Sequence, residues 1–290
     1  MKSLSGKNRK NALAFFLVII SLVLFFPNTS NADVGPKPTL KIIVENAPQG
    51  EYYLDLLIDY DSDRLFTNIE LEEITSPQMY ETLKNYNVKG WRPALVTGTR
   101  VPLHGSLVGE QAGDKMVHEF SYVGVPDRFK TIIVTVDQEI IVSENSVDRK
   151  AFNSTVYFDC RAKEIAESPL IQAYLKQFLS TCTATLIIEG LILLLFGFNL
   201  KNNWKPFLAV NILTQVLLTF VIFRMMYSSG SFSALLLYIP FEVVILTMET
   251  LLFTKYLTQH SKLRRATFAI TANLISFALG FLVMLFYPIL

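Results

Sequence analysis

From residue 179 onward the sequence is built of four apolar segments, at about 179–199, 206–226, 233–255 and 267–287, joined by short polar stretches. Each is long enough to cross ~30 Å of hydrocarbon as a helix. A backbone in lipid must also satisfy its own hydrogen bonds, so the segments predict an all-α four-helix transmembrane bundle over 179–290. After Glu167 only three acidic side chains occur, Glu189, Glu242 and Glu249, each inside an apolar segment, whereas Lys and Arg keep to the segment edges. A carboxylate at that depth is costly unless it is protonated, paired or hydrated, which makes the three glutamates the leading functional candidates.

The chain begins with Lys2, Lys7, Arg9 and Lys10 ahead of an apolar stretch, Ala12 to Phe26, and a small-residue site at Ser30-Asn31-Ala32. This pattern predicts a signal peptide over 1–32; cleavage after Ala32 is favoured over the alternative, an uncleaved anchor, because the apolar stretch is short for a span of ~20 residues. Residues 33–165, where most of the Asp and Glu reside, are then an extracytoplasmic domain, and 166–178 form a stalk that opens the first helix at Ser168-Pro169. The loops 200–205 and 256–266 and their flanks carry Lys201, Lys205, Lys255, Lys262, Arg264 and Arg265, while the turn from Tyr227 to Ser233 carries no basic residue. The positive-inside rule makes those loops cytoplasmic and puts the C-terminus outside, the orientation that an exported N-terminal domain also requires. The expected location is a cell membrane, crossed several times.

In the N-terminal domain Leu40, Ile42 and Val44 alternate with polar neighbours, and Tyr52, Leu54, Leu56 and Ile58 do so again after the turn-like Asn46-Ala47-Pro48-Gln49-Gly50. The two runs predict a β-hairpin. Further strands are expected at 117–123, 131–136, 139–143 and 155–159, with one short helix over 77–86, capped by Ser76 and carrying Pro77 in its first turn. The fold class is a mostly-β, sandwich-like domain with one short helix, followed by the helical membrane unit. Asp59, Asp61, Asp63 and Glu70 match the acidic positions of a calcium loop, but Arg64 stands where the required glycine would be, so an acidic strand end is the better reading. No nucleophile, metal-ligand or cofactor signature is present, no nucleic-acid footprint either, and Cys160 and Cys182 read as isolated thiols.

With orientation set, a rise of ~1.5 Å per residue places Glu189, Gln215 and Glu242 near mid-bilayer and Glu249, Asn211 and Asn273 in a more cytoplasmic layer. Asn211, Thr214 and Gln215 share one helix stripe, as do Glu242 and Glu249. Amides in such positions serve as interhelical glue. The glutamates leave three readings open: a raised proton affinity, a bound cation, or a basic residue on a partner membrane protein.

Gly35-Pro36-Lys37-Pro38, Glu51-Tyr52-Tyr53-Leu54-Asp55-Leu56, Phe120-Ser121-Tyr122-Val123-Gly124-Val125-Pro126 and Asn211-Ile212-Leu213-Thr214-Gln215 together resemble an uncharacterised group of Gram-positive-type bacterial membrane proteins. The resemblance implies a bacterial cell-membrane setting and brings no activity or assigned site. The expected function is non-enzymatic. The exported domain binds or senses an extracytoplasmic ligand, and the carboxylate-amide cluster mediates assembly with a membrane-protein partner or a second copy, or relays the signal. The alternative is a subunit of an oligomeric ion or proton pathway.

Overall fold

The computed structural model describes residues 35–61, 64–69 and 74–286, with side chains as far as 279. The expected signal peptide, Asp63, Glu70 and residues 287–290 lie outside the described residues.

The N-terminal region holds two sheets. In the first, the strand order is β11 (Glu164–Glu167), β10 (Asn153–Asp159), β1 (Thr39–Glu45), β6 (Lys115–Ser121) and β4 (His104–Gly105), with β5 (Glu110–Ala112) also on β6. In the second, the order is β3 (Arg92–Pro93), β2 (Tyr52–Ile58), β7 (Arg128–Thr135) and β8 (Ile140–Val142), with β9 (Val147–Asp148) on β7. Strand β1 runs parallel to β10 and antiparallel to β6. Alternation places Leu40, Ile42 and Val44 of β1 and Val156 and Phe158 of β10 on the buried face, where they share one core with residues of the second sheet.

The expected hairpin is not formed: β1 and β2 belong to different sheets, and the loop between them crosses the sandwich. The reason is visible in β2, which is buried at every position and pairs with β3 and β7 instead. One face of β2 meets the first sheet, with Tyr52 Oη 3.4 Å from the His118 ring. The other face is covered by two short helices, α1 (Pro77–Lys84) and α2 (Ala94–Thr97). Helix α1 starts as expected at Ser76 and Pro77, although the Ser76 side chain makes no capping bond.

Strand β2 carries a fully buried carboxylate, Asp55. It accepts the backbone N–H groups of Leu56 at 2.7 Å, Leu95 at 3.0 Å and Val96 at 3.1 Å, so it anchors the first turn of α2 to the sheet. Burial nevertheless pushes its carboxyl up to about 7, and burial pushes His118 down to about 4. The two effects on stability oppose each other. Asp55 binds its proton more tightly folded than unfolded, so its contribution is complete below about pH 4 and is lost as the pH rises toward 7. His118 favours the neutral ring when folded, so its contribution is complete above about pH 6.5 and is lost as the pH falls toward 4. The contributions of Asp55 and His118 therefore nearly cancel between pH 4 and 6.5. A His118→Gln variant should lose stability relative to the wild type as the pH rises over that interval, by at most ~1.4 kcal/mol per pH unit. A variant-minus-wild-type difference that stays constant across a pH series of melts would remove His118 from the explanation.

Three long helices follow: α3 (Leu170–Leu195), α4 (Leu200–Tyr256) and α5 (Lys262–Phe286). Of these, α3 and α4 are long and apolar enough to cross a membrane. Four separate helices were expected; the segments at 206–226 and 233–255 instead form one element, interrupted by a single non-helical residue, Gly230, with φ 81° and ψ 172°. A straight helix would separate Thr214 from Glu249 by about 50 Å. Their side chains are instead 2.5 Å apart, and Phe207 stacks on Phe253, so α4 doubles back at Gly230. The expected seven-residue outer turn is compressed into one glycine because φ near +80° with extended ψ is open to glycine almost alone.

The chain divides into two compact units. One joins residues 36–180 to the tip of α4, residues 219–237, and the other joins residues 181–218 to 238–290. In the second unit the two loops that were expected to share a side of the bilayer bond to each other. Asn203 Oδ1 accepts from Thr258 N at 2.8 Å, and Gln259 Oε1 accepts from Asn199 N at 2.9 Å. Arg264 donates to Phe196 O and Arg265 to Thr254 O, placing cations at the carbonyl ends of α3 and α4, as the helix dipole favours.

Candidate functional site

The polar cluster that was expected within the membrane forms inside the second unit from α3, both arms of α4, and α5. Glu189 of α3 and Glu249 of the second α4 arm are 1% and 3% exposed. Thr214 on the first arm donates to Glu249 Oε1 at 2.5 Å, and Asn273 Nδ2 of α5 donates to Oε2 at 2.6 Å. Ser276, one turn further along α5, donates to Glu189 Oε1 at 3.0 Å and lies 3.1 Å from Asn273 O. One hydrogen-bonded path thus runs from Glu189 through Ser276 and Asn273 to Glu249 and Thr214. Asn211 is 1% exposed and its amide faces Glu189, but neither its amide atoms nor Glu189 Oε2 makes a hydrogen bond of regular geometry.

Not every expected member joins. Glu242 is only half-buried; its hydrogen-bond partner is Tyr238 on the same arm, and it is a more distant charged neighbour of Glu189 than Glu249 is. Gln215, also half-buried, donates to Thr181 Oγ1 at 3.3 Å, away from the glutamates. Glu189 thus has Glu249 as its first carboxylate neighbour and Glu242, its expected partner by depth, as the second. Depth along a helix says nothing about rotation around it, and rotation decides which side chains meet. Ser276 was not singled out from sequence; its spacing of three from Asn273, on one helix face, was the available signal.

No described member of the cluster forms an ion pair, and among the described residues no group of three His, Cys, Asp or Glu side chains comes together to hold a metal. In the β region Asp59 and Asp61 do not converge on a calcium position. Asp59 pairs with Arg128 at 3.8 Å and Asp61 with Arg92 at 3.8 Å. Cys160 and Cys182 are both free and buried, and burial pushes the Cys160 thiol up to about 12, which makes it unreactive.

A second arrangement, unannounced by any motif, involves the tip of α4. Phe152 N donates to Tyr227 O at 2.8 Å, and the Phe152 ring covers Gly230, leaving only 2.8 Å to the position a Cβ would take there. The Phe152 carbonyl is itself held by Thr39 N and by the Arg149 guanidinium, which also reaches Ala151 O and Asp127. Nearby, Tyr174 at the start of α3 stacks on Phe223 with centroids 4.3 Å apart. The edge of the β region therefore grips the reversal of α4. Only a positive-φ glycine admits the aromatic ring so closely, and sequence alone does not disclose either condition.

Comparison with protein-family models, with curated proteins and with solved structures finds no match.

Proposed function

We infer that the chain is a non-enzymatic integral membrane protein of a bacterial cell membrane whose β-rich region binds a ligand outside the cytoplasm and passes that event to the helices. The observation that carries this reading is the grip of Phe152 on Tyr227 and Gly230, because it ties the β region to a helical reversal that continues directly into both arms of α4. The membrane setting is supported by the inverted polarity of the helices. Ile171, Leu175, Ile187, Leu191, Leu213 and Leu236 are exposed, while Glu189, Asn211 and Glu249 are buried. So much outward apolar surface is a liability in water and natural in lipid. In this reading α4 crosses twice, so that with α3 and α5 there are four crossings, and the bonded loops near 200 and 260 are cytoplasmic. The burial of Glu189 and Glu249 within one chain leaves Glu242 as the glutamate open to a partner's basic side chain.

Two measurements on the full chain in lipid test the reading. Protease added outside sealed vesicles or cells should remove the β region and spare the loops near 200 and 260; the opposite pattern would reverse the orientation. Phe152→Ala should raise amide hydrogen exchange over residues 219–237 about tenfold or more while the central strands β1, β2 and β7 stay protected. Unchanged exchange at the α4 tip would sink the relay.

A further inference from the structure

Each buried glutamate sits against a hydroxyl that has two places to send its proton. Ser276 Oγ lies 3.0 Å from Glu189 Oε1 and 3.1 Å from the carbonyl of Asn273; Thr214 Oγ1 lies 2.5 Å from Glu249 Oε1 and 3.0 Å from the carbonyls of Val210 and Asn211. When the carboxyl is ionised, the hydroxyl donates to it. When the carboxyl is protonated, its O–H donates to the hydroxyl oxygen and the hydroxyl turns to the helix carbonyl. Both states leave the hydroxyl and the bonded carboxyl oxygen satisfied, which interhelical glue does not require and a site that gains and loses a proton does.

From this geometry we propose that Glu189 and Glu249 form an exchangeable proton-binding pair, joined through Ser276 and Asn273, with Asn211 as the amide that faces the open oxygen of Glu189. Protons enter from and return to water, so no other reactant is needed, and each uptake forms one carboxyl O–H bond. A hard metal cation fits less well. It calls for about six oxygens, whereas both Glu249 oxygens and one Glu189 oxygen already accept hydrogen bonds, leaving Glu189 Oε2 and the Asn211 amide oxygen. The charged neighbours of Glu189 are Glu249 and, after it, Glu242; no lysine, arginine or histidine among the described residues pairs with any of the three.

The inference rests on reading the helices as lipid-embedded, but it is independent of the relay through Phe152. Infrared spectra of the full chain in lipid at neutral pH decide it, taken as wild-type-minus-variant differences so that other carboxyls cancel. Glu189→Gln and Glu249→Gln, which keep side-chain size, should each remove one carboxylic-acid carbonyl band that shifts in heavy water. Ser276→Ala should displace the Glu189 band without removing it, a change that loss of folding cannot mimic. The absence of such a band in both differences would overturn the proposal. So would its disappearance when sodium replaces choline at constant pH, which would assign the site to a metal cation. A band that survives while Phe152→Ala leaves exchange unchanged would retain the proton pair and remove the relay.

Discussion

Replacing Gly230 by valine is expected to cost about 4 kcal/mol, enough to depress the yield of monodisperse protein severely. Two separate penalties add. The backbone at φ 81° and ψ 172° is strained for any residue with a Cβ, at about 1–3 kcal/mol. The Cβ would also sit 2.8 Å from the Phe152 ring, an overpacking cost of about 1–3 kcal/mol. The parts are separable. Gly50→Ala, at φ 89° with nothing within 4 Å of the new Cβ, measures a backbone penalty without a clash. In a double-mutant cycle, Gly230→Val should cost about 2 kcal/mol less in a Phe152→Ala background than in the wild type, the contact portion alone, in thermal melts of the detergent-solubilised chain. A cost that vanishes in that background would mean that the φ of Gly230 imposes no strain.

The second large effect is expected at Asp55. Alanine there removes the acceptor of three backbone N–H groups, those of Leu56, Leu95 and Val96, in a place that water does not reach. Each buried orphan donor costs about 1–3 kcal/mol, and partial relaxation of α2 toward solvent recovers some of it, so a net loss of about 4 kcal/mol is expected. Because α2 carries the buried Ala94 and Leu95, the loss should appear as local opening as well as a lower melting temperature. A melt within about 1 kcal/mol of wild type would show that the amides find other acceptors.

The sequence disclosed most strands because β1, β6 and β10 are buried on one face and alternate. It misjudged β2 because a strand buried on both faces, with Tyr53 and Leu57 between the inward residues, looks like a hairpin partner when only every second residue is weighed. Length and hydropathy located the apolar helices. They gave no means of knowing that Gly230 alone reverses α4. The functional candidates were legible as acids in apolar runs, since charge there is rare and conspicuous. Their grouping was not, because Ser276 and Thr214 are ordinary polar residues by composition and acquire meaning only when two carbonyls and a carboxyl surround each hydroxyl. Phe152 carried no signal at all: one aromatic residue among many becomes a tether only through Gly230, 78 positions later in the sequence.

The parallel pairing of β1 with β10 has a consequence for the order in which the molecule is made. Strand β1 lies inside its sheet, and one of its two edges is completed only by residues 153–159. A nascent chain therefore carries an open, apolar strand edge through nearly the whole synthesis of the β region, and closes it only as the first apolar helix begins to emerge. Such long-range closure is slow and exposes the edge to mispairing. The protein's dependence on holding factors should be concentrated in that interval, and a chain truncated just before residue 153 should display the β region at its most aggregation-prone.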